Sequence, residues 1–407
     1  MAQGEIKTAL IQAAEPLVEN LYHCLRCNYC VEMHWEERGI QHVCPTLAHH
    51  NPAPGYSGKG YLAAARAMLE GEELPINSLI ERFFNCTTCG NCEEVCPVGL
   101  QPAHLVKRMR SAMVAQGLAP EPIAAIGANV IEHHNPGAAP LETRNRWAQG
   151  LDGIAADAAT LYLPGCAASY DAPSEARATV SVLHQIGVPI RLLPPEQARC
   201  CGAPLSEIGF AAEAETERHA LSAAIARSGC RGVVTSGAEC LESLAAAQLA
   251  NGLTVVHVFD LIERAAAEGR IGFEPKAGVA VTGTVGVLDS CHLSKKSHGV
   301  AGAAHYPQRI RALLTRLGCK TAIPADDANY AVCCGAAAGM PQMSPQSAAR
   351  MAEGKLESFA RAGATVILSA GPLCTAHLRR SQVTTLPPVM GLFEFIDTHF
   401  RPRPISS

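Results

Sequence analysis

Apolar residues recur at helical spacing through the first third of the chain and then gather into short β-branched runs. Residues 60–71, GYLAAARAMLEG, combine strong helix formers with a glycine stop, and AHLVKRMRSAMVAQG places Leu105, Met109 and Met113 along one face. A mostly helical region is therefore expected over residues 1–118. Pro120 to Pro140 is rich in Ala, Pro and Gly, and a linker is placed over 119–156. Beyond it the chain repeats itself. TLYLPGC at 160–166 matches VGVLDSC at 285–291, and GVVTSGAEC, ending at 240, matches ATVILSAGPLC, ending at 374. Between them lie helical stripes of Val182, Leu183 and Ile186 before Gly187, and of Ile310, Leu313, Leu314 and Leu317 before Gly318; a strand, PIRLLP, follows the first. The fold class expected is α+β multidomain: a helical N-terminal domain, then two pseudo-repeated α/β modules over 157–275 and 276–407. Their sheets should be parallel, with functional loops at the carboxyl ends of the strands.

Composition narrows the classes. At 407 residues, with 48% hydrophobic and 17% charged residues, the chain can bury a large core, and its net charge of −4 argues against a general nucleic-acid binder. The first residues carry scattered acidic groups and no continuous apolar segment, so no signal peptide is expected. The window Phe359–Leu378 contains Arg361, Gly363, Gly371 and Pro372 and reads as helix end, buried strand and loop, not a membrane span. The expected location is cytoplasmic, with peripheral attachment to the inner membrane face as a variant. In that reducing setting the 18 cysteines are available as thiolate ligands, whereas a disulfide framework belongs to small secreted chains.

Cys86, Cys89, Cys92 and Cys96, followed by Pro97, spell C-x2-C-x2-C-x3-C-P, the bacterial ferredoxin run that holds a [4Fe-4S] cube. Cys24, Cys27, Cys30 and Cys44, followed by Pro45, repeat it with thirteen residues where three are usual. In two-cluster ferredoxins the fourth thiolate crosses to the other cube. Cys24, Cys27, Cys30 and Cys96 are accordingly assigned to one cluster, and Cys86, Cys89, Cys92 and Cys44 to the other. His34 and His42, inside the insert, are read as solvated loop residues rather than as replacements for Cys44. Structural zinc would want two C-x2-C knuckles or Cys/His pairs, a pattern the third evenly spaced thiolate and Cys-Pro do not give.

The remaining cysteines are spread out. Each later module has one Cys after a strand (Cys166, Cys291), a Cys-Cys-Gly (Cys200, Cys201; Cys333, Cys334) and a final Cys (Cys240, Cys374). With these motifs the chain resembles the CCG-domain iron-sulfur proteins, which include the glycolate oxidase iron-sulfur subunit, lactate-utilisation proteins and the catalytic subunit of heterodisulfide reductase. The resemblance covers nearly the whole chain. It implies that each module's four thiolates hold metal, giving one or two further iron-sulfur clusters beyond the two ferredoxin-type ones. In the heterodisulfide reductase branch a fifth cysteine stands three residues before the last; here those positions are Gly237 and Gly371. The departure looks more like the glycolate oxidase branch. Cys230 aligns with Ala364 and Cys319 with Val188, so both are expected to be structural buried thiols.

His292, Lys295, Lys296 and His298 crowd the Cys291 loop; a polar run of this kind reads first as solvated surface, and His377 as a satisfied core or surface histidine. No G-x-G-x-x-G or Walker A motif calls for a nucleotide or flavin. The expected function is an electron-transfer subunit of a multi-subunit oxidoreductase, relaying electrons between a flavoprotein dehydrogenase of the 2-hydroxy acid type and a quinone, cytochrome or other acceptor. A membrane cytochrome b is one expected companion. Two alternatives share the architecture: a heterodisulfide-reductase-like catalyst acting at a CCG cluster, and a noncatalytic metal-binding redox sensor.

Overall fold

A computed structural model describes residues 3–32, 40, 42–247, 249, 252–268, 272–278, 283–296, 306–327, 330–381 and 383–403. The first third is helical. Gly58–Leu69 and Pro102–Ala115 form the two expected helices, and Leu105, Met109 and Met113 are buried where they meet Gln3–Ala14 and Ile76–Phe84. Within residues 119–156, Glu121–His133 is a thirteen-residue helix whose Ile123, Ile126 and Val130 are buried.

Two four-stranded parallel sheets follow. In the first, β1 (Thr160–Leu163), β2 (Ile190–Arg191), β3 (Gly232–Thr235) and β4 (Val255–His257) lie in the order β2-β1-β3-β4. A two-stranded antiparallel ribbon joins β5 (Gly272–Pro275) to β10 (Phe400–Arg403), a pairing that no sequence signal anticipated. In the second sheet, β6 (Thr284–Leu288), β7 (Lys320–Ala322), β8 (Val366–Ser369) and β9 (Val389–Gly391) repeat the order as β7-β6-β8-β9. Val, Ile and Leu dominate the central strands because helices cover both faces. PIRLLP contributes only two residues of strand, Ile190 and Arg191.

The two α/β units pack reciprocally. Helix Pro173–Gln185 of the first lies on Leu392–His399 of the second, where Ser181 and Gln185 donate to Asp397 at 2.7 and 2.8 Å. In the mirrored position, Arg309 on Tyr306–Arg316 reaches Asp260 and Glu263 on Val258–Ala267. His257 closes the seam, its ring 5.4 Å from that of Tyr306 and 6.0 Å from that of Phe393. No helix among the described residues is long and apolar enough to cross a membrane.

Candidate metal centres

In both parallel sheets the cysteines sit past the carboxyl ends of the strands. Cys166 follows β1 and Cys240 follows β3; Cys291 follows β6 and Cys374 follows β8, while the Cys-Cys pairs arrive on the loops after β2 and β7. The strand order brings these three loops to one edge. In the first unit Cys166 lies beside Cys200, Cys200 beside Cys201, and Cys201 beside Cys240. The second repeats this with Cys291, Cys333, Cys334 and Cys374. Gly202 and Gly335, directly after each pair, have φ of +81° and +90°; a Cβ at Gly202 would stand 2.4 Å from the Ala214 carbonyl oxygen, so only glycine lets that turn close. Gly237, the site of an absent fifth thiolate, faces Cys240, whose Sγ lies 3.3 Å from where a Cβ would be. Gly371 instead faces Ser290 and Ala238.

The helical region supplies two more quartets. Cys24, Cys27, Cys30 and Cys96 line one recess, with Cys92 at its inner side. Cys44 stands beside Cys86 and Cys89, and Cys92 adjoins all three. The thirteen-residue insert therefore returns Cys44 to the other ferredoxin run, helped by its Sγ donating to the Tyr56 carbonyl at 3.3 Å. Gly58 threads between the two groups: a Cβ there would fall 2.7 Å from Cβ of Cys92 and 3.3 Å from Cβ of Cys30. Burial pushes the Cys30 thiol up to about 11, and burial together with Cys86 pushes Cys44 up to about 12. Metal capture here must therefore displace protons, and only a strongly thiophilic centre repays that. Each group offers four thiolates with no histidine among them. A [4Fe-4S] cube held at its corners fits that donor set.

The inner ferredoxin group does not end at Cys92. Cys89, Cys291 and Cys333 form one buried contact set, all less than a tenth exposed. Around it runs a buried charge network that corrects the expected solvated surface. His292 and Lys295 are buried and the Lys296 side chain is only 9% exposed, whereas His298 lies outside the described residues. The Glu207 carboxylate, from the helix after the first Cys-Cys-Gly, accepts from Lys296 at 2.5 Å and from Thr88, and lies 3.4 Å from His292 Nε2. His292 Nδ1 meets Glu242 at 2.7 Å, and Glu242 meets Lys107 at 3.9 Å. Burial alone would raise the Glu207 carboxyl, but Lys296, His292 and Lys107 outweigh it and hold it far below the usual carboxylate range. Burial and Lys296 press His292 down, yet Glu207 and Glu242 win and bring it to about 9. Lys295 donates to the Ala331 carbonyl at 2.5 Å. Arg110, fully buried, ties Phe83, Cys86 and Glu207 together through their carbonyls.

The first unit's quartet has different company. Arg144, 4% exposed, places Nη2 3.3 Å from Cys166 Sγ and lies over the Tyr170 ring. His377 is a core histidine, its Nε2 3.1 Å from the Cys334 carbonyl oxygen and 3.3 Å from that of Ala348. Cys230 and Cys319 are buried, Cys230 against the Ala158 carbonyl. His42 pairs through its backbone with Glu32 and, with His49, lines a cavity that reaches Cys333; His34 lies outside the described residues.

Family comparison agrees with this layout. The model of a 4Fe-4S dicluster domain matches residues 20–100, and that of a cysteine-rich domain, CCG, matches 160–245 and 285–379. The chain belongs to the CCG iron-sulfur proteins. Among its relatives, a subunit of the dihydromethanophenazine:CoB--CoM heterodisulfide reductase of Methanosarcina barkeri is 27% identical over 87% of either chain. A subunit of the CoM/CoB fumarate reductase of Methanothermobacter marburgensis is 22% identical over 89% of this chain and 68% of its own. The glycolate oxidase iron-sulfur subunit of Escherichia coli is 26% identical over 44% of this chain and 46% of its own. Each of these relatives is, by name, a subunit of an oxidoreductase.

Proposed function

We propose that this chain relays single electrons through three thiolate quartets in series. The outer group is Cys24, Cys27, Cys30 and Cys96; the inner is Cys44, Cys86, Cys89 and Cys92; the third is Cys291, Cys333, Cys334 and Cys374. The observation that carries this reading is the buried contact of Cys89 with Cys291 and Cys333, which joins the ferredoxin-type region to the second α/β unit. At the other end Cys27 is exposed, so the outer group is the natural place for exchange with a partner. Clusters bound there would supply one-electron steps. This chain's residues contribute the order of the sites, the water-poor surroundings of the inner ones, and the Lys296, His292 and Arg110 cations that temper the accumulated negative charge.

The partner is proposed to be a flavoprotein dehydrogenase, with a 2-hydroxy acid such as glycolate or lactate as substrate, in keeping with the glycolate oxidase relative. The terminal acceptor is then a quinone, a cytochrome or a membrane cytochrome b. Anaerobic purification followed by iron, zinc and acid-labile sulfide analysis tests the base of this reading. About eight irons per chain are expected from the two ferredoxin-type groups, and more if the CCG groups are filled. Zinc without iron would sink it.

A second reading has one specific observation in its favour. An open cavity of about 990 Å³ reaches Cys333, lined also by His42, His49, Asp326, Lys355 and Ser358. A small substrate could approach the third quartet there, as disulfide reduction on this chain requires, and the heterodisulfide reductase relative matches along the whole layout. Glycines at 237 and 371 leave that chemistry without its fifth thiolates. Steady-state assay of the reduced protein with disulfides separates the two readings, because a pure relay turns none over.

A further inference from the structure

Eight large apolar side chains stand more than a third exposed among the described residues, and four of them gather at one cysteine group. Tyr22 is 46% exposed, Leu25 65%, Tyr29 39% and Val98 43%. Leu25, Tyr29 and Val98 line the same recess as Cys24, Cys27, Cys30 and Cys96. Tyr22 flanks it beneath Arg66, whose guanidinium lies 4.5 Å from the ring centre. A contiguous exposed patch of this kind on an otherwise well-packed chain marks an interaction surface.

Local structure explains why the patch cannot turn inward. The cysteines are spaced two apart on a tight loop in which Arg26 and Asn28 take φ of +55° and +68°. Such a loop faces its thiols to one side and leaves Leu25 and Tyr29 on the rim. The inward side is already filled by Leu62, Leu100 and Pro102.

Charge says what covers the patch. Among the described residues the charged ones lining the recess, Arg26 and Lys59, are both cationic, and Lys59 is held in place by donating to the Asn28 side-chain oxygen at 2.7 Å. In the adjoining groove Arg66 joins them, facing Glu70 and Glu72, and Glu70 is taken up by its ion pair with Arg66 at 2.8 Å. We infer that the surface formed by Tyr22, Leu25, Tyr29 and Val98, with Arg26 and Lys59 on its rim, is the docking face for a different redox protein whose apolar contact patch is bordered by carboxylates. Transient electron-transfer contacts are small, with an apolar centre and complementary charge at the edge. The inference rests on the reading of Cys24, Cys27, Cys30 and Cys96 as a cluster site, and it adds who approaches and by which side chains.

The test uses the anaerobically purified full chain and, as probe, a reduced plant-type [2Fe-2S] ferredoxin, an acidic one-electron donor. One electron leaves the probe's reduced cluster and reduces the oxidised outer [4Fe-4S] cluster by one; no proton or atom moves. Iron content and the reduced EPR spectrum come first, since a chain without an outer cluster defeats the underlying cluster reading and not the docking face. With the cluster present, the second-order rate should fall as salt rises. Leu25→Asp should lower it about tenfold, and Lys59→Glu should lower it and flatten or invert the salt dependence. The fraction of outer cluster reduced at equilibrium by excess dithionite, read as the EPR spin count, should be unchanged in both variants, and Ile131→Asp, an exposed apolar site elsewhere, should match the parent rate with ferredoxin. Equal ferredoxin rates in Leu25→Asp and the parent would overturn the inference. So would sedimentation showing a dimer of the parent that Leu25→Asp dissociates, since the face would then pair copies of this chain.

Discussion

The two α/β units share strand order, cysteine placement and the αL glycine after each Cys-Cys pair, yet their quartets live in different company. In the second unit, Cys291 and Cys333 touch Cys89 of the ferredoxin-type region, and a cavity opens beside Cys333. In the first, no ferredoxin-type cysteine joins the buried set around Cys200, which is made of Val130, Leu205 and Ala214, with Cys166 and Phe210 at its border. Its nearest cation, Arg144, comes from outside the sheet unit. The first unit instead lends Glu207 to its neighbour, where the carboxylate gathers Lys296, Thr88 and the Ala338 N–H at the junction of all three regions. A duplicated fold thus need not mean a duplicated role. On the proposed relay, where the helical region leans decides which copy is wired.

The largest effect should come from cutting that wire. Cys333→Ala should leave both ferredoxin-type clusters reducible but stop onward transfer, whereas Cys200→Ala should leave onward transfer to the second unit near the parent rate. Freeze-quench EPR after rapid reduction distinguishes the sites. Equal blocks from the two variants would mean that the units work as a pair and that the asymmetry has no functional weight. Cys89→Ala should go further and remove the inner cluster outright, about four irons per chain.

How much of this was legible depended on how local its cause is. Cysteine spacing is fixed by the geometry of a metal cluster, so the ferredoxin runs and the CCG repeats could be read directly, and parallel sheets followed from alternating β-branched runs and helices. The fate of HLSKK at 292–296 could not be read so. A lysine and a histidine are buried there only because Glu207 and Glu242 arrive from the other unit, far along the chain, to pair with them. EPIAAIGANVIEH, in a stretch read as linker, hides a helix because Pro122, its one proline, falls in the first turn, where a missing N–H costs nothing. The β5–β10 ribbon pairs residues about 125 apart, a separation at which no local pattern informs. That glycines stand where fifth thiolates would be came only from the resemblance to the heterodisulfide reductase branch, since both halves of the repeat carry glycine there.

The junction itself can be broken next. Glu207 and Lys296 have side chains only 6% and 9% exposed, so removing one partner strands a buried charge. Lys296→Met is expected to destabilise the fold by about 3–5 kcal/mol, and the double variant with Glu207→Gln to recover most of that. Denaturant unfolding of the four forms closes the cycle. If Lys296→Met costs no more than a surface substitution, the network does not hold the second unit against the ferredoxin-type region. Smaller again is the expected effect of Arg144→Met. Taking a positive charge from beside Cys166 destabilises the reduced, more negative state, so the midpoint potential of a first-unit cluster should fall by tens of millivolts, on the order of one weak charge interaction. Second-unit signals should stay in place in the same EPR redox titration.

The subtlest contrast lies in the seam between the units. On one side Arg309 meets Asp260 and Glu263; on the mirrored side Glu175, 2% exposed, presses against Gly391 with one carboxyl oxygen, Oε1, unpartnered. Burial raises its carboxyl from 4.5 to about 8, because Thr375 and Arg379 only partly offset the lost hydration. The folded chain therefore holds this proton more tightly than the unfolded one, and folding stability falls as pH rises from 4.5 to 8. Glu175→Gln keeps the shape without the ionisation. It should stabilise the fold by about 1–3 kcal/mol at pH 8, less than the full linkage of the raised carboxyl because water and relaxation soften it, and the gain should vanish near pH 4.5. Thermal unfolding of parent and variant across that range decides it. A gain that did not depend on pH would point to packing against Gly391, and the two sides of the seam would then differ in shape rather than in charge.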